Sequence, residues 1–232
     1  ALGFLSPWLL FSLRGVAVED IWSVLREVSP WRLAGLGLLN LAVLLLFALR
    51  WQVILRSMGE WVPLPRVLAY RLAGFGLSYL TPGPQFGGEP LQILLLRRRE
   101  GTASGSAVAS VLLDKLFELM ANFAFLLAGI NIAALNGTLP AGLGIPTWLT
   151  IIPLAAPAAY LILLWRGHKP LSWLGLRILR KKAGRGLEPL VRAACEAEEL
   201  GGGFCRERPL LLAQVTAVSI LVWILSILEF HW

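Results

Sequence analysis

Apolar runs of membrane-spanning length dominate this chain and restrict what it can fold into. Hydrophobic residues make up 57% of its 232 positions, and its mean hydropathy of +0.71 lies far outside the usual range of soluble domains. A helix of about 20 apolar residues crosses the ~30 Å hydrocarbon layer. We therefore predict an all-α, polytopic transmembrane helical bundle that forms a single membrane domain over 1–232. Its predicted spans are a partial one at 1–13 and complete ones at 33–49, 107–135, 143–165 and 210–228.

The charged residues are clustered in short segments beside these runs. Residues 166–208 carry ten Lys or Arg against five Glu, whereas residues 136–147 carry no charge. Because short loops rich in Lys and Arg remain in the cytoplasm, 166–209 is predicted to be a cytoplasmic amphipathic segment that contacts anionic lipid. The net charge of +7 thus follows from membrane topology and does not indicate nucleic-acid binding.

The segment TPGPQFGGEPL, at 81–91, interrupts the apolar sequence with three prolines, three glycines and one glutamate. Basic residues precede it at 50–66 and follow it at 97–99, and their charge places both groups in the cytoplasm. The chain must therefore enter the membrane and return on the same side. We predict a re-entrant helical hairpin over 65–98 that is broken at 81–90.

The break in this hairpin predicts a binding site. Its backbone N–H and C=O groups lie at membrane depth, where they require protein or a water-filled cavity around them. Two interpretations of the glutamate remain open. In one, Glu89 is only the N-cap of the returning helix, which starts with Pro90. In the other, this helix end and the amides of Gly87 and Gly88 face a ligand.

Polar residues recur at a strict spacing of four on the next predicted helix, which puts them on one face. Lys115 lies beside this face and three residues before Glu118. Ionised groups at mid-membrane need partners or water, so the face is predicted to point inward. Three interpretations stay open: a structural charge cluster that joins helices, a polar pathway shared with the hairpin break, or residues that remain in the cytoplasm because the helix end is misplaced. The polar stripe consists of Ser106, Ser110, Asp114, Glu118 and Asn122.

Three further polar residues lie near the break. Arg71 is suited either to the membrane interface or to a lipid phosphate, while Gln85 and Gln92 flank the break and are candidates to line a polar cavity. Three acids and two bases give the candidate ionisable groups a net charge of −1, which leaves the sign of a ligand's charge open. These groups are Glu89, Asp114, Glu118, Arg71 and Lys115.

Residues at the span ends complete the assignment. Arg50 is predicted to close the first complete span on the cytoplasmic side. We predict no catalytic residue, metal site or cofactor, since His168 and His231 stand far apart and no nucleotide-binding fingerprint occurs. The tryptophans predicted to be interfacial anchors are Trp51, Trp61, Trp148 and Trp165.

The stretches ALRWQVILRSMG, YLTPGPQFGGEPLQ and ASVLLDKLFEL follow one another in the chain. Together they resemble the lysylphosphatidylglycerol synthase transmembrane-region family, or flippase-like domain family, which includes a hopanoid-associated branch. The resemblance covers 33–130, and the family's Gly-Glu pair corresponds to Gly88 and Glu89. The family's usual arginine after that glutamate is not matched, with Gln92 standing nearby, and its E-R-x-x-D-like pattern is replaced by LDKLFE.

The resemblance implies a helical protein with re-entrant helices that handles lipids or lipid-linked headgroups in the bacterial inner membrane. Our leading hypothesis is a lipid transporter without enzymatic activity, whose headgroup site combines the hairpin break with the polar stripe. The alternatives are a membrane-embedded transferase for lipid-linked substrates and a non-catalytic partner of a lipid-synthesis enzyme. Expected partners are membrane lipids, including an anionic phospholipid or a lipid-linked headgroup, and a second copy of the chain or a lipid-synthesis enzyme. Because relatives continue past Trp232 and the chain opens on apolar sequence, it is expected to be truncated.

Overall fold

A computed structural model describes residues 29–80, 87–137, 147–181 and 188–231, and within these ranges helices are joined by short turns without any strand. The all-α prediction is confirmed. The predicted partial span at 1–13 lies outside the described residues. The helices are α1 (Pro30–Ser57), α2 (Leu64–Leu80), α3 (Glu89–Arg99), α4 (Ser104–Leu135), α5 (Thr147–Trp165), α6 (Pro170–Lys181), α7 (Glu188–Glu207) and α8 (Pro209–His231).

Three of the described helices, α1, α4 and α8, are long and apolar enough to cross a membrane, which confirms the transmembrane helical bundle. A fourth span arises only if α5 and α6 are taken together, and these two helices meet at an angle of 93°. α1 continues to Ser57, well past the predicted span end at residue 49. The apolar residues Val53, Ile54 and Leu55 explain this extension, since they allow the helix to remain packed beyond Arg50.

Helices α2 and α3 form the predicted re-entrant hairpin. Near its break, the amide of Gly88 donates to Ser78 Oγ at 3.0 Å, and at its open end Arg66 Nη1 lies 3.1 Å from Glu100 Oε2. The start of α3 therefore lies beside the end of α2, and the end of α3 lies beside the start of α2. The two arms are antiparallel. The 11 residues of α3 cover about 16 Å, only half of a ~30 Å hydrocarbon layer. Residues 81–86 of the break lie outside the described residues.

The two arms touch through their backbones beside the break. A Cβ atom added to Gly88 would lie 2.1 Å from the carbonyl oxygen of Gly74, which is far inside van der Waals contact. Gly87 has a φ of +132°, a conformation that residues with a side chain rarely adopt. Gly88 is therefore required by the close approach of the arms, and Gly87 by the conformation of the turn.

Apolar packing around α1 and α4 forms the core. One cluster joins α1 to α2, α3 and α4 around Trp51, and a second joins α1 and α4 to α5, α7 and α8. Trp51 is fully buried, and its Nε1 donates to Ser110 Oγ at 3.3 Å, so its assignment as an interfacial anchor was wrong. Trp61 and Trp165 are exposed, whereas the side chain of Trp148 lies outside the described part of the structure.

The segment predicted to be cytoplasmic contains two helices, α6 and α7, whose connection at 182–187 is not described. The buried carboxylate of Glu198 in α7 fixes the sharp turn into α6. It accepts hydrogen bonds from the amides of Leu171 and Ser172 at 2.7 and 2.8 Å and from the hydroxyl of Tyr160 at 2.9 Å. Because the first amides of a helix have no partner within it, Glu198 acts as a cap supplied by another helix.

Candidate functional site

The centre of the candidate site is Asp114, which lies between two arginines from different helices. Arg50 Nε of α1 donates to Asp114 Oδ1 at 2.7 Å, and Arg71 Nη1 of α2 donates to Asp114 Oδ2 at 2.5 Å. The two arginines are 1% and 2% exposed, and Asp114 is 5% exposed. Buried charges of this kind are tolerated only when partners compensate them. These pairs hold α1, α2 and α4 together.

Glu118 lies one turn further along α4 and continues the alternation of charge. Its Oε2 atom is 3.1 Å from Arg71 Nη2 and 3.8 Å from Arg50 Nη2, and its Oε1 atom is 2.8 Å from Lys115 Nζ. Lys115 Nζ is in turn 3.4 Å from Glu89 Oε1. The ionic contacts therefore run without interruption from α1 to the first residue of α3, beside the hairpin break.

Arg50 adds a sixth ionisable residue to the site. It is not an exposed residue at a helix end, because α1 continues for seven residues beyond it and its guanidinium is buried among carboxylates. Its Nη1 also donates to Ser219 Oγ of α8 at 3.1 Å. Adding Arg50 changes the charge count of the site from −1 to zero. We use the name "charge cluster" for the six residues Arg50, Arg71, Lys115, Glu89, Asp114 and Glu118.

The hairpin break differs in detail from the predicted N-cap arrangement. Gly88 is the N-cap of α3 and Glu89 is its first residue. The carboxylate of Glu89 accepts a hydrogen bond from the amide of Gly87 at 2.9 Å, while the amide of Gly88 donates to Ser78 Oγ. Both amides are thus engaged within the protein in this structure. Glu89 orders the break through Gly87 and simultaneously contacts Lys115. Its assignment as the N-cap was off by one residue, and the interpretation that this helix end faces a ligand stays a prediction.

A small cavity lies between the hairpin and α4. The volume open to the centre of a water molecule is about 20 Å³, which is space for about one water. Among the described side chains, Arg71 Nε is buried and has no hydrogen-bond partner. The residues that line this cavity are Arg71, Gly74, Phe75, Ser78, Gly88, Glu89, Gln92, Val111, Asp114, Lys115 and Glu118.

The structure brings most of the predicted site residues together. Within the polar stripe of α4, Ser106, Ser110, Asp114 and Glu118 are buried, as expected for a face that points inward, and Asn122 is half-buried. Arg71 is buried in the charge cluster, so it does not reach the membrane interface as one interpretation proposed. Gln92 lines the cavity. Gln85 lies outside the described residues.

Sequence reasoning missed three polar residues. Arg50 was assigned to a span end because a charge stood there, although the apolar residues that follow it indicated that the helix continues. Ser219 is a single hydroxyl in an apolar span, and nothing in its sequence context distinguishes it. Glu198 belongs to a run of charged residues in α7, and its partners at residues 160, 171 and 172 are defined only by the fold.

Comparison with known proteins identifies relatives in archaea. A UPF0104 membrane protein of Methanothermobacter thermautotrophicus is 34% identical over 121 residues, which cover 51% of this chain and 34% of the relative. Another from the same organism is 29% identical over 96 residues, covering 41% and 28%. A UPF0104 membrane protein of Methanocaldococcus jannaschii is 22% identical over 155 residues, covering 67% and 46%. The matched part of the chain thus spans less than half the length of each relative.

The family assignment rests on a match along nearly the whole chain. No solved structure matches the chain significantly. The model of the family described as lysylphosphatidylglycerol synthase TM region matches residues 1–230. This match extends the resemblance seen in residues 33–130 to both ends of the chain. The chain is a membrane protein, and it belongs to the lysylphosphatidylglycerol synthase TM-region family.

Proposed function

We propose that this protein takes part in moving lipids, or headgroups linked to lipids, across the bacterial inner membrane, in which it is a multi-pass protein. Its role is transport and not catalysis. The polar site for the headgroup lies between the hairpin formed by α2 and α3 and the buried face of α4. The protein is thus a flippase-like component of lipid metabolism.

The observation that carries this proposal is the charge cluster itself. Six ionised side chains meet inside a bundle of apolar helices, at the end of a helix that covers only half a bilayer. Well-packed apolar residues often stabilise a buried site as well as ion pairs do, so stability alone does not explain a cluster of this size. Discontinuous helices with polar groups at their ends are how many transporters bind cargo at the bilayer midplane.

Helix α6 supports membrane lipids as partners of this protein. The sequence predicts a span at 143–165 that includes α5; with α5 crossing the membrane, α6 would lie along its surface, because the two helices meet at 93°. Leu171, Trp173 and Leu174 are exposed on α6, and Arg177 stacks on Trp173 with 5.1 Å between its guanidinium carbon and the ring centroid. A helix with exposed apolar and basic residues is suited to the interface of an anionic leaflet.

Translocation of fluorescent lipids in liposomes tests the proposal. The purified protein is reconstituted with a lipid that carries a fluorescent label on one acyl chain and an unmodified headgroup, and dithionite added outside destroys only the label in the outer leaflet. We expect the protected fraction to fall from about half toward zero with the wild-type chain, and to remain near half with Asp114→Asn. Glu199→Gln is the control, because Glu199 is exposed and pairs only with Lys169 among the described residues.

The contrary results separate the alternatives. Protection that stays near half with correctly folded wild-type protein contradicts transport. A new lipid product found by mass spectrometry after incubation with lipid-linked substrates would instead establish a membrane-embedded transferase. Equal activity of the Asp114→Asn variant and the wild type would show that translocation does not use the charge cluster.

A further inference from the structure

The balance of charge in the cluster indicates what kind of headgroup the site accepts. We propose that the site binds a zwitterionic lipid headgroup, whose amine pairs with Glu89 and whose phosphate pairs with Lys115. This inference rests on the proposed role in lipid handling and specifies its ligand. A free zwitterion such as glycerophosphoethanolamine, a phosphodiester, offers the same charges, and the test distinguishes the two sources.

The first argument is electrostatic. The cluster holds three cations and three carboxylates among the described residues, and each carboxylate contacts at least one cation. A headgroup with a net charge would leave one buried charge without compensation, which is strongly unfavourable in a bundle of apolar helices. A zwitterion adds one charge of each sign and keeps the sum at zero.

The second argument concerns the place where the ligand binds. Glu89 and Lys115 have the most exposed side chains in the cluster, at 25% and 17%, whereas the side chains of the other four members are between 1% and 10% exposed. Their contact is also the ion pair that connects α3 to α4 within the described residues. It is therefore the pair that a ligand reaches first, and the pair whose opening disturbs the rest of the cluster least.

The third argument is that the exchange preserves the alternation of charge. The amine takes the position of the Lys115 ammonium beside Glu89, and the phosphate takes the position of the Glu89 carboxylate beside Lys115. Arg71 lines the same cavity, and its buried Nε has no partner, so a donor remains for a phosphate oxygen. Because the cavity holds only about one water, the hairpin must separate from α4 to admit the headgroup.

Lipid binding to the purified protein, measured by native mass spectrometry, tests this inference without requiring transport. The probes are short-chain phosphatidylethanolamine and phosphatidylglycerol with identical acyl chains, and free glycerophosphoethanolamine. We expect phosphatidylethanolamine to bind at least about tenfold more tightly than phosphatidylglycerol, a difference of ~1.4 kcal/mol. Tighter binding of phosphatidylglycerol, or no binding of either lipid, overturns the inference. Free glycerophosphoethanolamine that binds as tightly as the lipid would assign the site to a soluble ligand and would also overturn the inference.

Two substitutions of a charged residue by the uncharged glutamine test the inference further, because they change the net charge of the site in opposite directions. Glu89→Gln leaves the cluster at +1 and is expected to shift the preference toward phosphatidylglycerol by about tenfold or more. Lys115→Gln leaves it at −1 and is expected to shift the preference further from phosphatidylglycerol. Shifts in the same direction, or no shift in either variant, contradict the proposal. Glu199→Gln again serves as the control and should leave the preference unchanged.

A double variant provides a second check of charge balance. Glu89→Gln combined with Lys115→Gln restores a net charge of zero and is expected to return the preference to phosphatidylethanolamine, and failure to do so in folded protein contradicts the charge-balance argument. The outcomes for the two proposals are separable. Selective binding without translocation in liposomes refutes transport but leaves the ligand class standing, whereas translocation that favours phosphatidylglycerol leaves transport standing and refutes the ligand class.

Discussion

Arg50 and Asp114 are 64 positions apart in the chain, yet their side chains form a buried ion pair with 2.7 Å between Nε and Oδ1. Arg50 Nη2 also donates to the backbone carbonyl of Asp114 at 3.2 Å, and Nη1 donates to Ser219 Oγ. One guanidinium therefore connects α1, α4 and α8. Its five donors in a fixed plane suit this geometry, which a lysine does not reproduce.

Replacing Arg50 by Gln should lower the free energy of unfolding by about 3–5 kcal/mol, because part of the carboxylate charge then remains buried without compensation. Chemical unfolding of the purified protein in mixed micelles measures this loss. Lys169→Gln is the matched control, since both side chains of its pair with Glu199 are exposed, at 43% and 73%, and it should cost no more than about 1 kcal/mol. Equal losses of unfolding free energy in the two variants would contradict the expectation that burial makes the Arg50 ion pair more important for stability.

Gly88→Ala should disrupt the hairpin, because the new Cβ atom would meet the carbonyl oxygen of Gly74 at 2.1 Å. Overpacking of this kind costs about 1–3 kcal/mol, and here the obstacle is backbone. Gly76→Ala is the control, since nothing lies within 4 Å of its added Cβ atom; it should be neutral or slightly stabilising. Thermal unfolding compares the two variants, and a Gly88→Ala protein as stable as the wild type would refute the close approach of the arms.

Glu198→Ala should loosen the start of α6, since the amides of Leu171 and Ser172 lose their acceptor. Each buried donor left unpaired costs about 1–3 kcal/mol. Hydrogen exchange of these two amides should become faster than in the wild type. Glu199→Ala, at the exposed neighbouring position, should leave their exchange unchanged, and unchanged exchange in Glu198→Ala would exclude the capping role.

Burial raises the pKa of the Cys205 thiol from its ordinary value of 9.0 to about 11. The folded protein therefore keeps this proton in a pH range where the unfolded chain releases it. As pH rises from about 9 to 11, the contribution of Cys205 to stability is lost. We expect Cys205→Ala to remove part of the decline in unfolding free energy over this range. At pH 8 the buried Cys205 should also be alkylated more slowly than the half-buried Cys195, and faster alkylation of Cys205 would contradict its burial.

The re-entrant geometry predicts that cysteines introduced at Arg56 and Arg98 are labelled from the same side of the membrane. Both positions are exposed in the structure and lie at the open end of the hairpin. Asn136, at the far end of α4, should be labelled from the opposite side. The experiment requires a background in which Cys195 and Cys205 are replaced by Ala. Labelling of Arg56→Cys and Arg98→Cys from opposite sides would rule out the hairpin.

The elements that sequence reasoning predicted well are those defined by local pattern. Hydropathy located α4 and α8, and the position of basic residues on both sides of 81–91 indicated the hairpin. The spacing of four along α4 identified its inward face before any partner was known. These signals are local because, within a membrane, the backbone hydrogen bonds of each helix must be made inside that helix. Each segment therefore has to be apolar and helical by its own sequence.

The partners of that face were not predictable in the same way. Arg50 and Arg71 reach Asp114 from separate helices, and no local pattern specifies which buried cation meets which carboxylate. The rule that basic residues mark the ends of spans did not indicate that Arg50 belongs to the site, because it assumes that an arginine prefers water. Inside the bundle, the carboxylate of Asp114, 2.7 Å from Arg50 Nε, takes the place of water as the partner of the guanidinium. The charge of the site was therefore miscounted by one.

The alternating charges of the cluster also constrain how the family varies over time. Each member neutralises a neighbour on another helix. A mutation that removes one charge therefore leaves an uncompensated buried charge on a residue distant in sequence, and this destabilises the fold. A lineage can tolerate that loss only if a residue of opposite sign disappears with it or a new charge arises nearby. We expect the total charge of these six positions to persist among relatives even where the individual residues do not.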